Sequence, residues 1–139
     1  MRCRSLIRVR ASVVTYWEVA LAGLEIKNLN SPDETRPFAA HGHADVLNFA
    51  GKPVLYGTFE PGWRWSEDVK PIAGTDSCQA THFLYCVSGR MGVRMNDGSE
   101  AEIGPGDIAS IEPGHEAWVI GDEACVSVDF GGYAAYAKG

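Results

Sequence analysis

The sequence predicts a small all-β, antiparallel sandwich or barrel, and three observations carry that expectation. Short strand-like runs alternate with glycine and proline turns at near-regular spacing from His82 to Phe130. Sixteen glycines and seven prolines in 139 residues supply many turns and leave little room for long helices. Helical patterning is absent except over Ser12 to Leu24.

Taken in order, residues 1–30 read as a loosely structured N-terminal extension and 31–139 as the folded domain. Asn30 to Pro37 is polar and proline-bounded, which predicts a loop. Asp45 to Phe49 and Val54 to Glu60 are strand candidates, ended by Gly51-Lys52-Pro53 and Pro61-Gly62. Trp63 and Trp65 flank Arg64, so an extended segment there puts both indoles on one face. Lys70 to Asp76 is expected to be a loop. His82 to Ser88 is a strand, Gly89 a turn or bulge, and Met91 to Met95 a strand with Met91, Val93 and Met95 on one side. Asn96-Asp97-Gly98 predicts a hairpin turn, because Asp-Gly readily takes the positive φ angles a tight turn needs. Ser99 to Ile103, Ile108 to Ile111, Ala117 to Ile120 and Ala124 to Phe130 complete the strands.

Composition limits the function classes. A chain of this length can bury a core without covalent staples. Its net charge of −6 disfavours nucleic acid, which needs a basic face. No apolar run approaches the ~18 residues of a membrane-spanning helix. Arg2, Arg4, Arg8 and Arg10 followed by Ala20-Leu21-Ala22 imitate a secretory signal, but Glu18 interrupts the apolar segment, and an ordinary extension is the preferred reading. Cys3, Cys78, Cys86 and Cys125 contain no Cys-x-x-Cys pair and no compact disulfide spacing, which favours reduced thiols and a cytoplasmic location. Cys86 and Cys125 sit in apolar runs and read as buried hydrophobes, whereas Cys78 has polar neighbours.

The run Tyr85-Cys86-Val87-Ser88-Gly89-Arg90, then Gly104-Pro105-Gly106-Asp107 and Ile111-Glu112-Pro113-Gly114, resembles the two sequence motifs of the cupin superfamily over about Val54 to Phe130. The resemblance implies a double-stranded β-helix, a jelly-roll barrel of two facing sheets. It also implies a metal site of two histidines and a glutamate from the first motif and a histidine from the second. Here the glutamate position falls on His82, the His-x-His pair on Asp76 and Cys78 (or Thr75 and Ser77), and the last histidine on Ala117, with His115 two residues early.

Two functions follow. In one, the metal site is rewritten with Cys78, His82 and His115, with Asp76 as a further candidate, and serves an enzyme acting on a small molecule inside the barrel. A thiolate with two imidazoles favours zinc, while iron, nickel and copper also accept imidazole. Cys78 and His82, four apart, share a face if the chain between them is extended. In the other, a metal-free barrel binds a small-molecule ligand and does sensory or regulatory work. Trp63, Arg64, Trp65, Gln79 and Trp118 are the candidate pocket residues, with Trp63, Trp65 and Trp118 as its aromatic wall. His41-Gly42-His43 has no further ligands nearby in sequence and reads as a surface turn. Catalytic residues are not identified, no organic cofactor motif is present, and a homodimer formed through an open sheet edge is a further expectation.

Overall fold

A computed structural model describes residues 18–21, 23–131 and 136–138. Eleven strands run β1 (Glu18–Leu21), β2 (Leu24–Lys27), β3 (Glu34–Pro37), β4 (Gly42–Phe49), β5 (Lys52–Phe59), β6 (His82–Ser88), β7 (Arg90–Met95), β8 (Glu100–Ile103), β9 (Ile108–Ile111), β10 (His115–Ile120) and β11 (Cys125–Asp129). Two single helical turns, α1 (Trp65–Asp68) and α2 (Lys70–Ala73), lie between β5 and β6.

The strands form a six-stranded sheet, β3-β4-β5-β11-β6-β9, a three-stranded sheet, β10-β7-β8, and the separate hairpin β1-β2. Every pairing is antiparallel. From β6 onward the chain crosses between these two sheets at Gly89, Gly104–Asp107, Pro113-Gly114 and Gly121–Ala124, while β7 and β8 stay together as a hairpin. These are the turns expected from the sequence, and each crossing lays the next strand opposite the last. The core fills the space between, with Leu84, Cys86, Met91, Val93, Ile103, Ile111, Ala117 and Cys125 all buried. Gly89 makes its corner at φ 74°, where an added Cβ would meet the Ala124 carbonyl oxygen at 2.2 Å, so conformation and space both demand glycine.

Several expectations need correction. The loop expected over Asn30 to Pro37 ends in strand β3, whose Pro37 is tolerated because β3 is the sheet's outer strand. Within the expected extension, Glu18–Leu21 pairs with Leu24–Lys27 as a hairpin, so the described part of the helical pattern is strand. The rest of that segment, including Cys3, lies outside the described residues. Lys70 to Asp76 begins as a helical turn, with Pro71 in its first turn and Gly74 left-handed at its end. Among the described residues no helix is long and apolar enough to cross a membrane.

Candidate metal centre

The site lies inside the barrel, where the segment before β6, the first residue of β6 and the first residue of β10 converge. Residues 78 to 84 alternate between inner and outer sides, so Cys78, Ala80 and Leu84 are buried while Gln79, Thr81 and Phe83 are exposed. His82 opens β6 from the inner side, and Cys78 lies four residues before it on the same face. Backbone pairing brings in the third residue. The Cys78 N–H donates to the His115 carbonyl at 2.8 Å, and the Gly114 N–H donates to the Cys78 carbonyl at 2.7 Å. One potential ligand atom from each of Cys78, His82 and His115 lies within 4.8 Å of the other two. Cys78 Sγ is 3.7 Å from His82 Nε2, and the two imidazoles meet edge to face with centroids 5.1 Å apart.

Each imidazole is held from its far side. His82 Nδ1 is 2.5 Å from Asp129 Oδ2, and a carboxylate can only accept, so Nδ1 carries the proton. Asp129 is itself fixed, its Oδ1 accepting from the backbone N–H of Phe83 and of Gly131 at 3.1 and 2.8 Å. His115 Nδ1 donates to the Glu112 carbonyl at 2.8 Å. Both Nε2 atoms therefore face the interior, the arrangement that orients metal-binding histidines. The tetrahedral bonds of zinc, about 2.3 Å to sulfur and 2.0 Å to nitrogen, imply an S···N separation of roughly 3.6 Å. The Cys78–His82 distance meets that requirement without rearrangement.

Electrostatics point the same way. Burial alone would push the Cys78 thiol up, but the imidazoles of His115 and His82 outweigh it and bring the pKa down to about 6. Burial would depress His82, yet its bonds to Asp129 and Cys78 raise it to about 9. Asp129 is pushed up by burial and held below its ordinary value by the His82 bond that outweighs it. Without an ion, the site at neutral pH is a thiolate, an imidazolium and a carboxylate in a line.

A cavity of about 40 Å³ adjoins these groups, walled by Leu55, Leu84, Val93, Ile111, Trp63 and Trp65. By the ~10–15 Å³ each water needs, it admits about three waters or one very small molecule. Tyr136 closes one side, its ring edge-on to His82 at 5.5 Å. Buried Arg36 on β3 secures it by donating to the Tyr136 carbonyl at 2.9 Å.

Of the residues expected to line a pocket, Trp63 and Trp65 line this cavity, and Arg64, Gln79 and Trp118 do not. Trp118 lies flat over Gly92 on the outer side of its sheet, between the Arg64 and Arg94 guanidiniums at 5.3 and 5.6 Å. Alternation along β10 requires this, since His115 and Ala117 take the inner side. Gln79 turns outward and bonds Ser77. Asp76 is fully exposed beside Lys70 and takes no part in the cluster. His41 and His43 also stay apart from it; His41 bonds buried Asp68 at 3.1 Å. Asp129 and Tyr136 were not anticipated from the sequence. Asp129 carried a signal, because Cys125, Ser127 and Asp129 share the inner phase of an apolar strand.

No protein-family model matches the chain, and no curated protein matches it. Solved structures do. A protein of unknown function from Vibrio parahaemolyticus aligns at TM-score 0.52 and 16% identity, over 70% of this chain and 96% of that one. A DUF1255 protein of unknown function from Acinetobacter sp. ADP1 aligns at TM-score 0.52 and 12% identity, over 70% and 89%. The 11S allergen of Cocos nucifera aligns at TM-score 0.52 and 18% identity, over 78% of this chain and 34% of that one.

The fold is that of the cupin superfamily.

At these identities the likeness carries fold alone, and the chemistry of this chain rests on its own side chains.

Proposed function

We propose that this cupin holds one metal ion through Cys78, His82 and His115, with zinc favoured and iron or nickel as alternatives, and uses it on a small molecule inside the barrel. One observation carries the reading: three ligand atoms of suitable type lie within 4.8 Å, and both imidazoles are tied at the nitrogen facing away. A bound ion would supply Lewis acidity and an open coordination position.

The chain's own residues make the site ready. Cys78, already ionised near neutral pH, needs little further cost to bind as thiolate. His82 must release a proton on metal uptake, and Asp129 keeps the remaining one on Nδ1. Apolar walls exclude bulk water and strengthen every charge interaction inside. The test is elemental analysis of protein purified without a metal-affinity tag, followed by zinc titration of chelator-treated protein. One equivalent that disappears in Cys78→Ala and His82→Ala supports the reading, and protein that takes up no zinc, iron or nickel overturns it.

A second reading rests on the line Cys78–His82–Asp129, a thiol, imidazole and carboxylate in sequence as in thiol nucleophiles. It predicts fast, stoichiometric modification of Cys78 by small electrophiles in protein that binds no metal.

A further inference from the structure

Charge is unevenly spread along the chain. Residues 1–17 hold four arginines and no carboxylate, whereas residues 95–114 hold five carboxylates and no lysine or arginine. The acidic block forms one side of the barrel. There β8 is paired only with β7 and β9 only with β6, so each is the outer strand of its sheet. A groove of about 390 Å³ runs between them, with exposed Glu100, Glu102 and Asp107 at its rim and Val93, Met95, Ala101 and Ala109 as an apolar floor. Ala101 shares the inner phase of β8 with buried Ile103 and is nonetheless exposed, because nothing among the described residues covers it.

The backbone of β8 is half used. The Met95 N–H donates to the Ser99 carbonyl at 2.8 Å, and from that pair the antiparallel ladder places the next bonded pairs at Val93–Ala101 and Met91–Ile103. The amides of Glu100 and Glu102 therefore point away from β7, and among the described residues no strand receives them. An open edge beside an apolar floor is a template for one more strand. The side chains of Glu102 and Glu100 meet Arg90 and Arg94 at 3.2 and 3.6 Å in exposed pairs, and a carboxylate with about four lone-pair sites can accept a second guanidinium.

We infer that residues 2–10 of the same chain fill this groove, added as a strand along β8. Arg2, Arg4, Arg8 and Arg10 recur at even positions and Cys3, Ser5, Ile7 and Val9 at odd ones, with Leu6 the single break. Paired to β8, this period of two turns Ile7 and Val9 to the apolar floor and sets the arginines beside Glu100 and Glu102. Opposite charges directly across a strand pair then fix the register, and an isolated apolar strand would lack that fixing.

The chain is long enough for this. The β1-β2 hairpin is tied to the β4–β5 turn, where the Ala50 N–H donates to the Glu25 carboxylate at 3.1 Å. From β4 to β9 the sheet counts four strand spacings, ~19 Å. The eight residue steps from Glu18 back to Arg10 reach ~26 Å when extended. Docking needs no ion, so it and the metal reading can fail separately. Val93 and Ile111 nonetheless belong both to the groove and to the wall of the interior cavity, so whatever fills the groove also backs the site.

The experiment is residue-resolved amide hydrogen exchange on the full chain, compared with two full-length variants, Arg4→Glu with Arg8→Glu and Ile7→Asp with Val9→Asp. In the wild type the amides of residues 2–10 and those of Glu100 and Glu102 should exchange slowly. Both sets should speed up by about tenfold or more in each variant, while β6 and β11 amides keep their rates and so report an intact barrel. Wild-type residues 2–10 exchanging at free-peptide rates overturn the inference, as does protection that survives both variants. Slow residues 2–10 beside fast Glu100 and Glu102 amides place the segment elsewhere and also overturn it. Protection that falls on dilution means that a second copy supplies the segment, which overturns docking within one chain.

Discussion

Cys78 and Cys125 stand in the same barrel, each only 2% exposed, and differ in every chemical respect. Burial pushes both thiols up. At Cys125 the neighbouring Cys86 pushes the same way, and the pKa reaches about 12. At Cys78 two imidazoles push back, and it falls to about 6. Burial therefore does not decide which cysteine is chemically available; the partner facing it does. Cys125 packs in the apolar layer between the sheets, while Cys78 lies where three chain segments bring polar groups to the barrel's interior.

The largest effect that could break this contrast is metal content. Cys78→Ala should reduce bound zinc from one equivalent to none, and Cys125→Ala should leave it at one; equal loss from both would mean the contrast is only a matter of stability. Next comes titration of metal-free protein in a Cys3→Ser background, followed by far-ultraviolet thiolate absorbance. One thiol should ionise as pH rises through about 6, and Cys125 should stay protonated up to about 12 or until unfolding. The His82 imidazolium should persist until pH rises through about 9, so the ion pair exists between those two values. A first thiolate appearing only above its ordinary value would refute the histidine effect. Asp129→Asn, which exchanges the charged acceptor of His82 for a neutral one, should weaken zinc about 10–100-fold in competition with a chelator. The smallest effect is on stability. Cys125→Ala should cost about 1 kcal/mol in chemical denaturation, as expected for one small buried group.

The same contrast marks what could be read from the sequence. From β6 to β11 the barrel was legible, because turns such as Asn96-Asp97-Gly98 and Pro113-Gly114 state where strands end, and β6 and β9 have the expected bounds. Alternation alone suggested that Cys78 and His82 share a face. The meeting with His115 needed the backbone bridge between Cys78 and His115, which joins segments far apart in sequence. Asp129 was hidden for the same reason, since it reaches His82 only after β11 pairs with β6. Trp118 was assigned to the wrong side because aromatic character suggests a pocket, whereas the phase of β10 sets its direction. Strand β3 was missed because its four residues include Pro37 and follow a polar loop.

The bridge between Cys78 and His115 has a further consequence, in time rather than in affinity. Two of the three candidate ligands cannot separate unless the hydrogen bonds from Cys78 N–H and Gly114 N–H both open. Deuterium should therefore enter the Cys78 and Gly114 amides slowly, at nearly the same rate with and without metal. If so, two of the three ligands are in place when the barrel folds, and an arriving ion waits only on its own passage through the wall and on His82.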